Sequence, residues 1–177
     1  MPGASRDVRR WRLVEIRRNG TWTPALLTVW RRPPTSSVWV IHVTWSEDGD
    51  GVDTEGWSWF LFDSARIRPL AEPSDPPPAG APFHGRWRDA AVHTPSEPTG
   101  TPEDTQVRCW ALAWARIDGQ WRSGLVTAQR RTGPGGPWIA SFRWGEDRQC
   151  AWLLADGITL RPVHPAVPAP SAPGTPQ

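Results

Sequence analysis

The 177-residue chain contains no lysine, no tyrosine and a single asparagine, and it has only two cysteines, Cys109 and Cys150. Two cysteines cannot build the disulfide framework of a small secreted domain, so both are expected to be ordinary thiols. Because the chain has no lysine, its strongly basic residues are twenty arginines. The accompanying wealth of Ala, Pro and Gly is typical of GC-rich coding sequence, so the preference for arginine is weak evidence for phosphate binding.

Long apolar runs are also missing from the sequence. Residues 1–13 contain charges rather than the apolar core of a secretory signal. No later stretch approaches the ~20 apolar residues that a membrane span requires. These absences favour a cytoplasmic protein with no membrane partner.

Patterns typical of enzymes and metal sites are sparse. The four histidines, His42, His84, His93 and His164, have no spacing that would gather them with the cysteines into a tetrahedral zinc site. The acidic stretch 47–55 alternates carboxylates with glycines, but it lacks the twelfth-position glutamate and the flanking helices of a calcium loop. Neither a phosphate-cradling glycine loop nor an activated nucleophile is recognisable. We therefore expect a non-enzymatic protein with no catalytic residues, no cofactor and no metal site.

The chain does contain an internal repeat. The segment Gly20–Thr28 returns 99 residues later as Gly119–Thr127, and each copy is followed by a pair of arginines. The same offset aligns three further tryptophans, at positions 11, 39 and 45, with tryptophans at 110, 138 and 144. The loop that follows Trp144 is six residues shorter than the loop that follows Trp45, and beyond it the match resumes with Trp59 aligned to Trp152. A tandem duplication of one small module explains this pattern.

The repeat predicts two domains, residues 8–70 and residues 107–163, each near the lower size limit for a single core. Seven of the 14 tryptophans lie in the first module and six in the second, so core packing is the default expectation for any one of them. Between the modules, residues 71–106 are rich in Pro, Ser, Thr and Gly, which predicts a flexible linker. One island in it, Phe83–Arg88, is a candidate for docking on a module. Residues 164–177 are predicted to form a disordered tail.

Both modules show the alternation and the turn residues of short β-strands, and no segment has a helical period. Asn19–Gly20 and Asp118–Gly119 supply equivalent hairpin turns between the first two strands. On the second strand of the first module, the alternation predicts one face with Trp22, Leu26 and Trp30, and a core face with Ala25, Leu27 and Val29. Further strands are predicted at Trp39–Trp45, Trp57–Phe62 and Ala65–Leu70, with counterparts in the second module. The predicted fold is all-β, with five strands in each module.

Five short strands in about sixty residues, with a tight first hairpin and a one-turn connection before the last strand, describe a small SH3-like barrel. These modules resemble the Tudor, Agenet and PWWP group of barrels. Trp22–Leu27 and Trp121–Val126 match the group's Trp-x-x-Ala-x-Val pattern on the second strand, and Trp45–Ser46 and Trp144–Gly145 match its aromatic residue followed by a turn. The resemblance implies two five-stranded, Tudor-like SH3 barrels, joined by the Pro-rich linker.

In the resembling barrels, a ligand is held by aromatic residues of the first hairpin, the end of the third strand and the fourth strand. A methylated ammonium or guanidinium gains ~0.5–2 kcal/mol from each indole face, and neighbouring carboxylates add attraction. The resemblance therefore implies a protein or peptide partner with a cationic side chain, although strand parity also allows the third-strand tryptophans to be core. The ligand-binding residues implied are Trp22, Trp45, Trp57, Glu47 and Asp48 in the first module, and Trp121, Trp144 and Trp152 in the second.

The arginines support a different hypothesis, in which the protein binds DNA or RNA. Residues 107–163 contain eight arginines against four carboxylates, and such barrels can contact phosphates with arginine while bases stack on aromatic rings at ~1–3 kcal/mol each. The acidic loop of the first module argues against a basic track across both modules. The contacts predicted by this alternative are Arg31, Arg32, Arg122, Arg130, Arg131 and Arg143. A third hypothesis is an architectural adaptor in which the barrels pack together through exposed tryptophans.

Overall fold

The computed structural model describes residues 6–34, 36–46, 55–74, 92, 106–133 and 135–163. Every regular element in these ranges is a β-strand, which confirms the predicted all-β class. None of the described residues belongs to a helix of membrane-spanning length and apolarity. Glu47, Asp48, the Phe83–Arg88 island and the predicted tail lie outside the described residues.

The strands form two five-stranded antiparallel sheets. The first sheet has the order β4-β3-β2-β1-β5, and the second has the order β10-β6-β7-β8-β9. In each sheet four consecutive strands form a meander, and the short last strand returns to pair with the first. The strands of the first sheet are β1 (Arg6–Arg18), β2 (Thr21–Arg32), β3 (Val40–Ser46), β4 (Glu55–Leu61) and β5 (Ile67–Pro69). Those of the second are β6 (Gln106–Ile117), β7 (Gln120–Arg131), β8 (Trp138–Trp144), β9 (Gln149–Leu154) and β10 (Leu160–Pro162).

Both predicted hairpin turns are confirmed. Asn19 and Gly20 have φ angles of 46° and 85°, and Asp118 and Gly119 have φ angles of 52° and 72°. Two successive residues with positive φ define the two-residue turn whose twist matches that of the flanking strands, and Asn, Asp and Gly tolerate this conformation best. The turns bring β1 against β2 and β6 against β7 along almost their whole lengths.

Register irregularities occur at equivalent places in the two sheets. The β2/β3 ladder shifts between Leu27 and Val29, and the β7/β8 ladder shifts 99 residues later, between Val126 and Ala128. An inserted residue moves every following side chain to the other face. Trp30 consequently pairs with Ile41 and packs on the core of the first sheet, whereas Val29 pairs with His42 on the opposite face. The predicted placement of Trp30 and Val29 was therefore wrong.

Each sheet encloses its own apolar cluster on its inner face. In the first sheet this cluster includes Val14, Ala25, Leu27 and Ile41, which confirms Ala25 and Leu27 as core residues. In the second sheet it contains Ala113, Ala115, Val126, Ala140, Phe142, Leu153 and Leu160.

A third apolar cluster lies between the two sheets. Leu13 and Leu26 on the outer face of the β1–β2 hairpin pack with Leu112 and Trp114 on β6 of the second sheet. The backbone N–H of Leu13, a fully buried residue, donates a hydrogen bond to Ser123 Oγ at 3.1 Å. Around Leu13 and Leu26, both faces of this hairpin are therefore buried, one against its own core and the other against the second sheet.

Candidate binding site

A cleft of about 640 Å³ opens where the two sheets meet. One side is formed by residues 10–12 of β1, where the ladder with β2 shifts its register. The other side is formed by the β6–β7 turn, the start of β7 and the β8–β9 turn. The described residues around it are mostly polar, but three of them are tryptophans. The lining residues are Arg10, Trp11, Arg12, Glu72, Asp118, Gln120, Trp121, Arg122, Ser123, Trp144, Gly145, Glu146, Asp147 and Gln149.

The aromatic part of the cleft includes two of the predicted ligand-binding residues, Trp121 and Trp144. Trp144 is half-buried and stacks on Phe142 of the second core, with ring centroids 5.7 Å apart and planes inclined by 17°. Trp121 packs on the cluster between the sheets, and the guanidinium of Arg161 lies 5.1 Å from its ring centroid. Trp11, which was not predicted, joins them from the first sheet. The walls of the cleft are thus held by two apolar clusters.

The β8–β9 turn places two carboxylates beside this aromatic wall. Trp144 pairs with Gln149, so four residues make the turn, and Gly145 and Arg148 adopt positive φ angles of 73° and 52°. The N–H of Arg148 donates to the carbonyl of Gly145 at 3.2 Å and closes the turn. Glu146 and Asp147 are left exposed at its tip.

Charges of both signs line the cleft. Among the described residues, the lining includes four carboxylates, from Glu72, Asp118, Glu146 and Asp147, and three guanidinium groups, from Arg10, Arg12 and Arg122. All seven side chains are exposed to solvent, so they can rearrange around a ligand. A cationic group of a ligand can contact the aromatic faces and the carboxylates of the cleft. A carboxylate or carbonyl group of a ligand can contact its arginines.

In the first sheet, two of the predicted ligand-binding tryptophans, Trp45 and Trp57, lie on opposite faces. Thr44 pairs with Trp57 across the β3–β4 ladder, and cross-strand partners share a face. Trp45 therefore points to the opposite face, where it is 5% exposed in the core of the sheet, while Trp57 is 63% exposed. A single aromatic cage therefore cannot contain the rings of both Trp45 and Trp57. Trp45 is a core residue, which strand parity had allowed.

Arginines of the chain itself already occupy several of the predicted aromatic faces. The guanidinium of Arg68 lies 4.2 Å from the ring centroid of Trp22, and that of Arg18 lies 4.2 Å from Trp45. In the second sheet, Arg130 lies 4.9 Å from the centroid of Trp152. Such contacts are worth ~0.5–1 kcal/mol at exposed sites, and a ligand at these rings would have to displace them.

Sequence reasoning did not identify these arginine–tryptophan contacts. The internal repeat was a signal that could have revealed them, because Arg68 and Arg161 occupy aligned positions and contact the aligned rings of Trp22 and Trp121.

Within the described residues, no guanidinium lies over Trp144, which lines the cleft. Trp152 pairs with Ser141, which alternates on β8 with Phe142 and Trp144 and so points to the opposite face. Trp152 therefore lies on the opposite face of the second sheet from Trp144.

The arginines predicted to bind nucleic acid are dispersed. Arg31 is held by two 2.8 Å hydrogen bonds to the carboxylate of Asp7, which raise its pKa, and Arg32 donates to the carbonyl of Ser36 at 3.4 Å. Arg122 lines the cleft, but Arg130 and Arg131 lie at the other end of β7, ~27 Å away at ~3.3 Å per residue. Arg143 is half-buried on β8. The six arginines therefore do not form one surface.

Comparisons of the chain with protein-family models, with curated proteins and with solved structures gave no significant match. Within the described ranges, no group of three or more His, Cys, Asp or Glu side chains is arranged to hold a metal ion. The described residues define an all-β protein with two five-stranded antiparallel sheets and a cleft of about 640 Å³ between them.

Proposed function

We propose that this is a non-enzymatic binding protein whose two sheets are SH3-like, Tudor-like barrels related by internal duplication. Two observations support this proposal. In each sheet, four meandering strands are followed by a short strand that returns to the first. The register shifts of the two sheets also occur at positions 99 residues apart, as do the matching tryptophans of the sequence.

The proposed ligand is a segment of a protein or peptide partner with a cationic side chain, such as a lysine or arginine and its methylated forms. The observation that supports it is the placement of Trp121 and Trp144 in one cleft with Glu146 and Asp147. Register places the two rings on opposite faces of the second sheet, where they approach the cleft from its two sides. An ammonium or guanidinium there would gain cation–π attraction from the ring that it contacts and Coulomb attraction from the carboxylates. Trp144 is the proposed primary contact, because its ring is anchored on Phe142 and has no described guanidinium over it.

The mixed charge of the cleft favours a peptide over a nucleic acid. A polyanion entering it would meet four carboxylates, and like charges brought together cost free energy. A peptide offers both signs: its cationic side chain complements Glu146 and Asp147, and its carbonyl or carboxylate oxygens complement Arg10, Arg12 and Arg122. The position of the cleft between the sheets makes it a single site to which both contribute.

Binding can be tested by tryptophan fluorescence and calorimetry with short peptides that contain one trimethyllysine, dimethylarginine, unmodified lysine or norleucine. We expect the cationic peptides to bind and the norleucine peptide not to bind. Replacing Trp144 with alanine should weaken binding at least tenfold, and Trp144→Phe, which keeps an aromatic ring on Phe142, should weaken it less. Trp138→Ala is the matched control, because this exposed ring lies on the same sheet outside the cleft.

The role of the carboxylates is tested by the double variant Glu146→Gln, Asp147→Asn. These exposed side chains lie in a turn, so the fold should be unaffected, while affinity for the cationic peptides falls and becomes less sensitive to salt. Equal affinity for cationic and norleucine peptides would contradict the proposed recognition. Equal affinity of Trp144→Ala and the natural protein would show that the cleft is not the site.

Nucleic-acid binding is the second candidate, and one observation favours it. Arg130 and Arg131 lie beside the rings of Trp152 and Trp138, at 4.9 and 5.2 Å, and neither has an ion-pair partner among the described residues. This candidate predicts binding to short single-stranded or duplex DNA or RNA that weakens steeply with salt. It also predicts a large loss in the double variant Arg130→Ala, Arg131→Ala. Absence of binding at low salt would eliminate it.

A further inference from the structure

The outer face of β4 is an exposed apolar stripe on an edge strand. Trp57, Trp59 and Leu61 alternate along the strand and are 63%, 39% and 67% exposed. His42 on β3 lies between the two indoles, with ring centroids 5.8 and 5.1 Å away, and its Nδ1 is 2.8 Å from Thr28 Oγ1. The stripe is therefore held in place by the neighbouring strands rather than being a set of loose side chains.

Apart from Glu55 at its start and the Arg31 guanidinium 4.6 Å from the ring centroid of Trp59, the described residues give this edge none of the usual protection against pairing. Natural sheets block exposed edges with charges, prolines, bulges or a covering segment, because unpaired backbone N–H and C=O groups attract another strand. From Gly56 to Leu61 the strand contains no charged residue and no proline. Its seven residues also pair with β3 without a register shift, so no bulge twists the edge away.

The equivalent edge of the second sheet differs in this respect. There, Val92 of the segment between the sheets forms an antiparallel bridge with Leu153 on β9. No described residue forms such a bridge with β4. The edge strand β9 thus accepts an antiparallel partner. Its counterpart in the first sheet, β4, has no such partner among the described residues.

We propose that β4 pairs with β4 of a second copy of this chain, antiparallel and around a twofold axis at Trp59. In this register Trp59 faces its own counterpart, and Trp57 of each copy faces Leu61 of the other. Directly opposite residues share a face of the joined sheet, so the two apolar stripes become one. A shift of two residues in either direction leaves at least one of the three side chains without an apolar partner. A second copy is the proposed partner because, in this register, each apolar side chain of the stripe lies opposite an apolar side chain of the same stripe in the other copy.

The dimer formed in this way is weak. Three large side chains per copy and one strand backbone give an interface at the small end of the range for specific complexes. We therefore expect a monomer–dimer equilibrium in the micromolar range rather than a permanent dimer. This inference does not depend on the proposed ligand, because the stripe lies on the first sheet and outside the cleft.

Sedimentation velocity of the full chain from about 1 to 200 µM tests the proposal. The natural protein should shift from monomer towards dimer with concentration, whereas Trp57→Asp and Leu61→Asp should each raise the dissociation constant at least tenfold. Ile158→Asp is the matched control, since Ile158 is 54% exposed and lies in a turn of the second sheet. Circular dichroism of each variant establishes that it is folded. A natural protein that stays monomeric over this range, or a dimer unaffected by both β4 substitutions, would overturn the proposal.

Disulfide trapping tests the register. Opposed residues in an antiparallel pair have Cα atoms ~4.5–5.5 Å apart, within the range of a disulfide, so Trp59→Cys should form a covalent dimer under mild oxidation. The two copies of residue 61 would be four residues apart along the strands, ~13 Å at 3.3 Å per residue, so Leu61→Cys should not. The natural protein gives the background from Cys109 and Cys150. Trapping at residue 61 but not at residue 59 would refute the proposed axis.

Discussion

Replacing Gly124 with alanine is expected to destabilise the second sheet by about 1–3 kcal/mol, the usual cost of an overpacked core. A Cβ atom at this position would overlap the carbonyl oxygen of Arg143 and the ring of Phe142, whose Cε2 would be only 2.7 Å away. Because one of the obstructing atoms belongs to the backbone of β8, a side-chain rotation cannot relieve the overlap. The upper part of the range is therefore expected.

The first sheet explains why a glycine is needed there. At the positions 99 residues earlier it has Ala25 and Val43, both fully buried. The second sheet has the smaller Gly124 and the larger Phe142 instead, so total volume is roughly maintained. Phe142→Val should partly rescue Gly124→Ala, because it removes the ring from the overlap but leaves the Arg143 carbonyl in place.

Urea denaturation followed by circular dichroism and tryptophan fluorescence gives the four free energies of unfolding for this double-mutant cycle. Phe142→Val alone should cost less than the ~3–5 kcal/mol of a Phe→Ala change. In the Phe142→Val background, Gly124→Ala should cost at least ~0.5 kcal/mol less than in the natural protein. Gly133→Ala is the control, since a Cβ there meets nothing within 4 Å. A neutral Gly124→Ala would contradict the predicted overlap, and an equal cost in both backgrounds would contradict the contribution of the Phe142 ring to it.

Three further substitutions test the turns and the contact between the sheets. Asp156 is partly buried, which raises its pKa, but hydrogen bonds from Thr159 and nearby backbone amides outweigh this effect and bring the pKa below its ordinary 3.8. Its stabilisation is therefore complete above that value and lost as pH falls through the folded pKa. Asp156→Asn should lower the free energy of unfolding at pH 7 by ~1 kcal/mol, with a difference that shrinks in acid denaturation curves; a constant difference would contradict this. Ser123→Ala should cost ~1–3 kcal/mol in urea denaturation, because the buried N–H of Leu13 loses its acceptor; a neutral result would mean that the sheets separate in solution. Leu26→Ala should cost ~2–5 kcal/mol and split or broaden thermal unfolding, since Leu26 joins the two sheets; a small effect with one sharp transition would contradict that role.

Much of the secondary structure could be predicted from local patterns. Alternation located the strands, and Asn19–Gly20 specified its turn because few residue pairs tolerate positive φ twice in succession. Alternation failed where the ladder inserts a residue: Trp30 moved to the core face because β2 bulges against β3 before it. Nothing in the residues between Leu27 and Trp30 identifies that bulge, since it depends on how β3 aligns with β2.

The residues of the candidate site were less predictable than the strands. The resemblance to Tudor-like barrels selected Trp121 and Trp144, which line one cleft although they lie on opposite faces of the second sheet. It also grouped Trp45 with Trp57, but Trp45 is buried in the core of the first sheet and Trp57 is exposed on the other face. The arginines over the aromatic rings were missed because each contact joins strands that are distant in sequence, as for Arg68 and Trp22.

The sequence by itself determined the all-β class, the hairpin turns and the two similar halves, because these follow from residue-by-residue preferences and from a repeat that is visible without a structure. Only the tertiary structure decided that the β1–β2 hairpin is buried on both faces, since an apolar residue such as Leu26 is compatible with either an inner or an outer position. It also decided that the N–H of Leu13 finds its acceptor at Ser123, 110 residues away. Contacts over that distance depend on how the finished sheets pack, and local sequence contains no information about that packing.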